Sequence, residues 1–277
     1  MRTAFIYTVA AALLAIAPAT MATNPTADLN KFRDHFKERF PGTAFNDYIN
    51  GIYSIDAPSR EQWEAIEEFP PYETSIDAGA EMWNTAFANG KTYAACFGDD
   101  TASIRGKYPY YDANRDEVIT LELAINECRK AHGEKPLKYK KGAIADLSAF
   151  IAFEGRGNKI DVKVEGNGAV KWYERGRKHF YAKRGQLNMS CADCHRWNAG
   201  NYVRADRLSP ALGQVSHFPV YRSKWGNLGT LHRRYAGCNK QVRFKPFKAQ
   251  SAEYRALEYF HTYMSNGLEW NGPGARK

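Results

Sequence analysis

The sequence predicts an all-α protein made of two tandem copies of one small helical domain, and three observations carry that prediction. Cys128, Lys130, Lys135, Pro136, Leu147 and Phe150 recur without a gap as Cys238, Lys240, Lys245, Pro246, Leu257 and Phe260, 110 residues on. Gly90 and Cys96 recur as Gly185 and Cys191, 95 residues on, with Trp83 and Phe180 at similar places before them. Apolar residues also fall at three- and four-residue spacing along most of the chain, the period of a helix with one buried face.

Taken in order, residues 1–22 read as a secretory signal. Arg2 gives a short positive start, Ala4 to Ala17 is uncharged and largely apolar, and Ala17-Pro18-Ala19 and Thr20-Met21-Ala22 both fit a cleavage site. The run is shorter than the roughly 20 residues that cross a bilayer. Nothing downstream is apolar enough to do so, so no membrane span is expected and the mature chain is placed in the periplasm.

Leu29, Phe32, Phe36 and Phe40 predict the first helix after the signal. Ser59 and Gln62 fit a capping box, and Pro70-Pro71 stops the helix that follows. Leu121, Ile125, Cys128 and His132 share one helical face. Leu147 to Phe153 and Leu257 to Met264 close the two copies, with Gly155 and Gly267 as C-caps. Gly155 to Gly168, rich in Gly, Asn and charge, reads as the linker, with a short strand at Ile160 to Val164. The expected organisation is a signal at 1–22, one domain at 23–155 and a second at 156–277.

The net charge is +9, of which residues 1–22 hold only Arg2. Such a charge points to nucleic acid, a membrane surface or acidic partners. Export removes nucleic acid and leaves acidic proteins and anionic substrates. A hydrophobic content of 44% suffices for a core, and 14% aromatic content suits a domain that wraps a large flat cofactor. Five cysteines is an odd number for a compartment in which disulfides form.

Cys191-Ala192-Asp193-Cys194-His195 is the C-x-x-C-H run of covalent haem attachment. The two thiols add to the vinyl groups of haem, and the next residue offers its imidazole to the iron. Zinc would need a second Cys/His pair at ligand spacing, which the chain lacks. The two copies are therefore cytochrome c-like, with one haem c in the C-terminal copy. In the N-terminal copy Cys96-Phe97-Gly98-Asp99-Asp100 stands at the same place, with Asp99 for the second cysteine and Asp100 for the histidine. That copy is expected to carry no haem. Cys96 and Cys128 would face the vacated pocket, where a disulfide would replace part of what haem supplies; two unpaired thiols are the other reading.

The second axial ligand separates an electron carrier from an enzyme. Met189, Met264, His217, His232, His261 and Cys238 are candidates. Methionine is usual in electron carriers because it raises the potential, but Met264 lies on an apolar helical face and Met189 is close to the attachment site. Cys238 is favoured. It is the leftover thiol, it follows Gly237, and Arg233, Arg234, Lys240, Arg243 and Lys245 surround it. Cations lower a thiol's pKa and favour the thiolate that attacks and ligates.

At these residues the chain resembles the SoxA family, the larger subunits of the SoxAX cytochromes of bacterial thiosulfate oxidation. The resemblance rests on CADCH at 191–195, on Arg233-Arg234-Tyr235-Ala236-Gly237-Cys238-Asn239-Lys240, and on the two-domain plan, and it covers most of the mature chain. It implies an L-cysteine S-thiosulfotransferase that joins thiosulfate oxidatively to a cysteine of a SoxYZ-like carrier and passes electrons to cytochrome c. It also implies a heterodimer with a SoxX-like cytochrome subunit. Cys238 would be iron ligand and catalytic cysteine, and Arg234 would bind the substrate anion. Some members carry a second haem; the departures at Asp99 and Asp100 resemble the single-haem type with a Cys96–Cys128 disulfide. The residues alone also allow a non-catalytic electron-transfer cytochrome with His/Met ligation, or a tetrathionate-forming thiosulfate dehydrogenase.

Overall fold

The computed structural model describes residues 23–276, so the expected signal at 1–22 lies outside the described residues. Helix α1 (Pro25–Arg39) starts where the sequence offers a cap: the Asn24 side chain accepts from the Ala27 amide at 3.0 Å, and Pro25 sits where an N–H would lack a partner. Leu29, Phe32 and Phe36 are buried against the C-terminal half of the chain, with the Phe32 and Phe180 ring centroids 6.1 Å apart. A 3-10 stretch (Phe45–Ser54), broken at Gly51, leads into α2 (Ala57–Glu67). Pro58 falls in the first turn of α2 and Asp56 is its N-cap, so Ser59 lies inside the helix instead of capping it. Pro70-Pro71 then separates α2 from α3 (Glu73–Asn84).

Two single-turn helices, α4 (Ala94–Phe97) and α5 (Thr101–Ile104), precede the hairpin β1 (Tyr110–Asp112) and β2 (Glu117–Ile119). Helices α6 (Leu121–Ala131) and α7 (Ala143–Glu154) complete this half. The second half runs α8 (Gly166–Tyr181), a wide turn at Asp193–Trp197, and a small ribbon of β3 (Tyr202–Val203) with β4 (Asp206–Arg207). The hairpin β5 (Val220–Arg222) and β6 (Asn227–Gly229), then α9 (Leu231–Gln241) and α10 (Ala252–Tyr263), follow. Strand β7 (Gly274–Arg276) pairs parallel to β5.

Both halves are organised on a close glycine crossing. A Cβ on Gly79 of α3 would sit 2.3 Å from the Asp146 carbonyl oxygen of α7, and one on Gly176 of α8 would sit 2.0 Å from the Ala256 carbonyl oxygen of α10. Only glycine lets these helix pairs approach so closely. The hairpins also share a register, Tyr110↔Ile119 in one and Val220↔Gly229 in the other. The fold is mostly helical instead of all-α: seven strands of two or three residues occur among the described residues. Strands this short leave no alternating pattern to read. The strand expected at Ile160 to Val164 is absent. Lys159 makes one isolated bridge to Glu269, Ile160 N–H donates to Leu268 O at 2.8 Å, and Ile160 and Val162 are buried, which pins the expected linker into the C-terminal core. Gly155 caps α7, whereas α10 is capped at Met264, ahead of Gly267.

In the N-terminal half, the place that matches the attachment motif is packed with aromatic rings. Trp83 stacks on Tyr93 at 5.9 Å and also meets Phe97 and Phe150. Cys96 and Cys128 are joined in a disulfide, 32 residues apart in sequence. Asp100 caps α5, its carboxylate accepting from Ser103 N–H at 3.4 Å. Closing a loop of this length removes denatured-state entropy worth about 3–4 kcal/mol. Replacing both cysteines with alanine should lower the calorimetric melting temperature by roughly 7–14 °C. An unchanged melting temperature would show that the bond constrains nothing. Among the described residues, no helix is long and apolar enough to cross a membrane.

Candidate functional site

The turn that follows α8 fixes the approach to the site. Gly185 has φ +70°, and a Cβ there would lie 2.0 Å from the Val242 carbonyl oxygen, so this turn sits directly on the C-terminal end of α9. Ser190 and Asp193 then form a reciprocal cap: Ser190 Oγ accepts from Asp193 N–H at 3.0 Å, and Asp193 Oδ2 accepts from Ser190 N–H at 2.7 Å. That cap opens the helical turn bearing Cys191, Cys194 and His195. Its signal, Ser-x-x-Asp, stands in the sequence within the haem motif and is easily passed over.

His195 is held from behind. Its Nδ1 lies 2.9 Å from the Ser209 carbonyl oxygen, the Gln214 amide closes on the same nitrogen at 2.8 Å, and the His195 carbonyl accepts from Ala211 N–H at 2.8 Å. These contacts hold the imidazole from its Nδ1 side, as the outer partners of metal-binding histidines do. Neither Ser209 nor Gln214 could be foreseen, because each meets His195 across a loop without regular structure.

Helix α9 brings the opposing groups. Leu231, His232, Tyr235, Ala236 and Asn239 turn inward, while Arg234 and Cys238, four residues apart, share one flank. A Cβ on Gly237 would meet nothing within 4 Å, so the backbone beside Cys238 faces open space. Burial pushes the Cys238 thiol up, but Arg234, a hydrogen bond with His195 and the charge of Arg222 outweigh it and bring the thiol down to about 7. Burial instead raises Cys191 to about 12 and also raises Cys194. The three free cysteines are thereby sorted: two stay neutral thiols beside the histidine, and Cys238 alone is poised as a thiolate.

The other candidates for the iron do not compete. Met264 is buried in the core. His217 packs beneath Gly51 beside Arg276. His232 is engaged by Glu258 at 3.0 Å and by Gln250 N–H at 3.0 Å. Both nitrogens of His261 are taken, by Tyr235 Oη at 3.2 Å and the Ala211 carbonyl at 3.1 Å. Met189 is tied into the turn with Arg184. The geometry therefore brings Cys191, Cys194, His195, Arg234 and Cys238 together, and the donor set of an oriented imidazole, a thiolate and two free thiols fits a covalently held haem.

Residues 78–160 match the family model described as the SoxA/TsdA cytochrome c domain. Over 251 residues the chain is 57% identical to the L-cysteine S-thiosulfotransferase subunit SoxA of Chlorobaculum thiosulfatiphilum, covering 91% of this chain and 87% of that one. The chain belongs to the SoxA family. Its identity to SoxA of Allochromatium vinosum is 55%, over 97% of this chain and 95% of the relative. The crystal structure of SoxXA from P. pantotrophus superposes with a TM-score of 0.72 at 32% identity, covering 78% of this chain and 84% of the matched one. The stretch that matches the SoxA/TsdA cytochrome c model spans the half with the disulfide, so the cytochrome c character of that half does not depend on a C-x-x-C-H motif there.

Beyond the residues expected from the sequence, the SoxA site contains Arg222, from the end of β5. Its charge acts on Cys238, and the charge of Arg234 acts on it. It lies outside the basic run around Cys238, and no local signal marks it.

Proposed function

We propose that this chain is the cytochrome subunit of a periplasmic L-cysteine S-thiosulfotransferase, reached by way of the signal at 1–22. It would carry one haem c, held covalently through Cys191 and Cys194, with His195 and Cys238 as the residues that would hold its iron. The reaction joins thiosulfate to a carrier cysteine: a thiol and the thiosulfate dianion give a thiosulfonate-capped cysteine, one proton and two electrons. Haem bound there would supply the route by which those electrons leave toward a cytochrome acceptor. Cys238 is the catalytic thiolate, Arg234 holds the anion beside it, and Ser209 and Gln214 keep His195 oriented. The carrier is SoxYZ-like, and a SoxX-like subunit completes the heterodimer.

The single observation that carries this reading is the meeting of Cys238 with His195 and Arg234, which puts a thiolate, an anion-binding guanidinium and the haem motif at one point. The two halves, 23–155 and 156–277, are read as tandem cytochrome c-like domains related by duplication, the first without haem. The shared glycine crossing and the matched hairpin registers support this.

The test is turnover of the haem-loaded heterodimer with thiosulfate, carrier and oxidised cytochrome c. The expected product is a carrier cysteine bearing the thiosulfonate group, seen by mass spectrometry, with two electrons delivered per group added. Tetrathionate formed without any carrier would assign the chain to thiosulfate dehydrogenation instead. A ferric haem spectrum of the His/Met type, with no reaction of thiosulfate, would leave a plain electron carrier.

A further inference from the structure

Two arginines whose charges act on Cys238 have none of the carboxylate partners that arginines in folded interiors often hold. Arg207 and Arg255, for comparison, hold Asp56 at 3.1 Å and Glu117 at 2.7 Å. Arg222 and Arg234 are both half-buried, and neither has a carboxylate partner among the described residues. The charge of Asp206 raises Arg222, but the two form no ion pair among the described residues.

The fold delivers these two charges from different directions. Arg234 comes from α9. Arg222 comes from a three-stranded sheet, paired with Asn227 of β6 on one side and Arg276 of β7 on the other. Its carbonyl accepts from Trp225 N–H at 2.7 Å and Gly226 N–H at 3.0 Å, which fixes the hairpin turn. The hairpin is clamped to the start of α9: the Arg233 guanidinium lies 4.1 Å from the centre of the Trp225 ring and donates to the Leu228 carbonyl at 3.0 Å. Gly229 is required beneath them, since a Cβ there would lie 2.5 Å from the Trp225 ring. Trp225 and Arg233 therefore brace the hairpin that carries Arg222 against the start of α9, and the Arg222 guanidinium itself lies 5.7 Å from the centre of the Trp225 ring. Burial first, and then the charge of Arg234, lower Arg222 to about 10. The Cys238 thiolate offsets one of these two charges, and the net positive charge left half out of water favours a further anion joining them.

We propose that Arg222 is a second anion-binding residue of this site, forming with Arg234 a guanidinium pair that clamps a compact sulfur-oxygen dianion beside Cys238. The inference rests on the function proposed above and extends it to the choice of substrate. Two forked donors satisfy a dianion better than a monoanion, and lysine reproduces the charge without the fork.

The experiment is calorimetric binding of thiosulfate to the haem-loaded heterodimer with carrier omitted, so that no turnover occurs. Arg222→Gln should weaken binding about tenfold and Arg222→Lys about threefold. Sulfate, as a competing dianion, should lose affinity in step, while nitrate should not. Lys224→Gln removes an exposed charge two residues away and should leave the affinity within about twofold. Unaltered thiosulfate binding in Arg222→Gln overturns the inference while the function stands. So does a changed ferric haem spectrum or potential with binding intact, which would assign the guanidinium to the haem. An unmodified protein that neither binds nor conjugates thiosulfate sinks the function, and the inference with it.

Discussion

Cys238→Ala is expected to lose thiosulfate conjugation by on the order of a thousandfold or more, the scale on which removal of a catalytic nucleophile is felt. The loss should occur with covalent haem content unchanged. Attachment depends on Cys191, Cys194 and His195, whose supports are the Ser190–Asp193 cap, the Ser209 carbonyl and Gln214. Alanine is a better helix former than cysteine and disturbs none of these contacts. The substitution therefore removes the one thiol brought down to about 7 and leaves the two cysteines that would carry the haem. The ferric spectrum should change as well, because the sulfur facing His195 is gone. Full conjugation activity in this variant would falsify the catalytic role of Cys238. An unchanged spectrum would remove it from the iron.

Arg234→Ala should reduce kcat/KM for thiosulfate about 10- to 100-fold, chiefly through KM. A hydrogen bond to a charged group contributes roughly 1.5–3 kcal/mol, and each 1.36 kcal/mol is about a factor of ten. Arg234 has no carboxylate partner among the described residues, so its removal leaves no buried acid stranded and haem content should hold. Arg234→Lys should recover only part of the loss, because a lysine keeps the charge without the paired donors. The check is initial rates across a thiosulfate series at saturating carrier. Equal rates at limiting thiosulfate would remove Arg234 from the substrate.

Much of the site is legible in the amino-acid sequence. The C-x-x-C-H run is a local pattern, because the two attachment thiols and the histidine must lie within one turn of chain. Cys238 stands out by arithmetic, as the thiol left over once the other four are assigned. The pairing of Cys96 with Cys128 follows from lining up the two copies. Helix α1 is readable from Leu29, Phe32 and Phe36, but its place is not. Those residues pack on Phe180 of the other half, and an apolar stripe does not name its partner.

The sequence by itself determined the haem motif, the helical periodicity, the internal repeat and the basic surroundings of the leftover thiol, since each is written in neighbouring or regularly spaced residues. Tertiary structure alone decided which groups stand behind and beside them. Ser209 and Gln214 reach His195 from an irregular loop, the charge of Arg222 acts on Cys238 from a three-residue strand, and Ile160 and Val162 join the C-terminal core instead of bridging two domains. Such contacts link residues far apart in the chain, and no local period or composition records them.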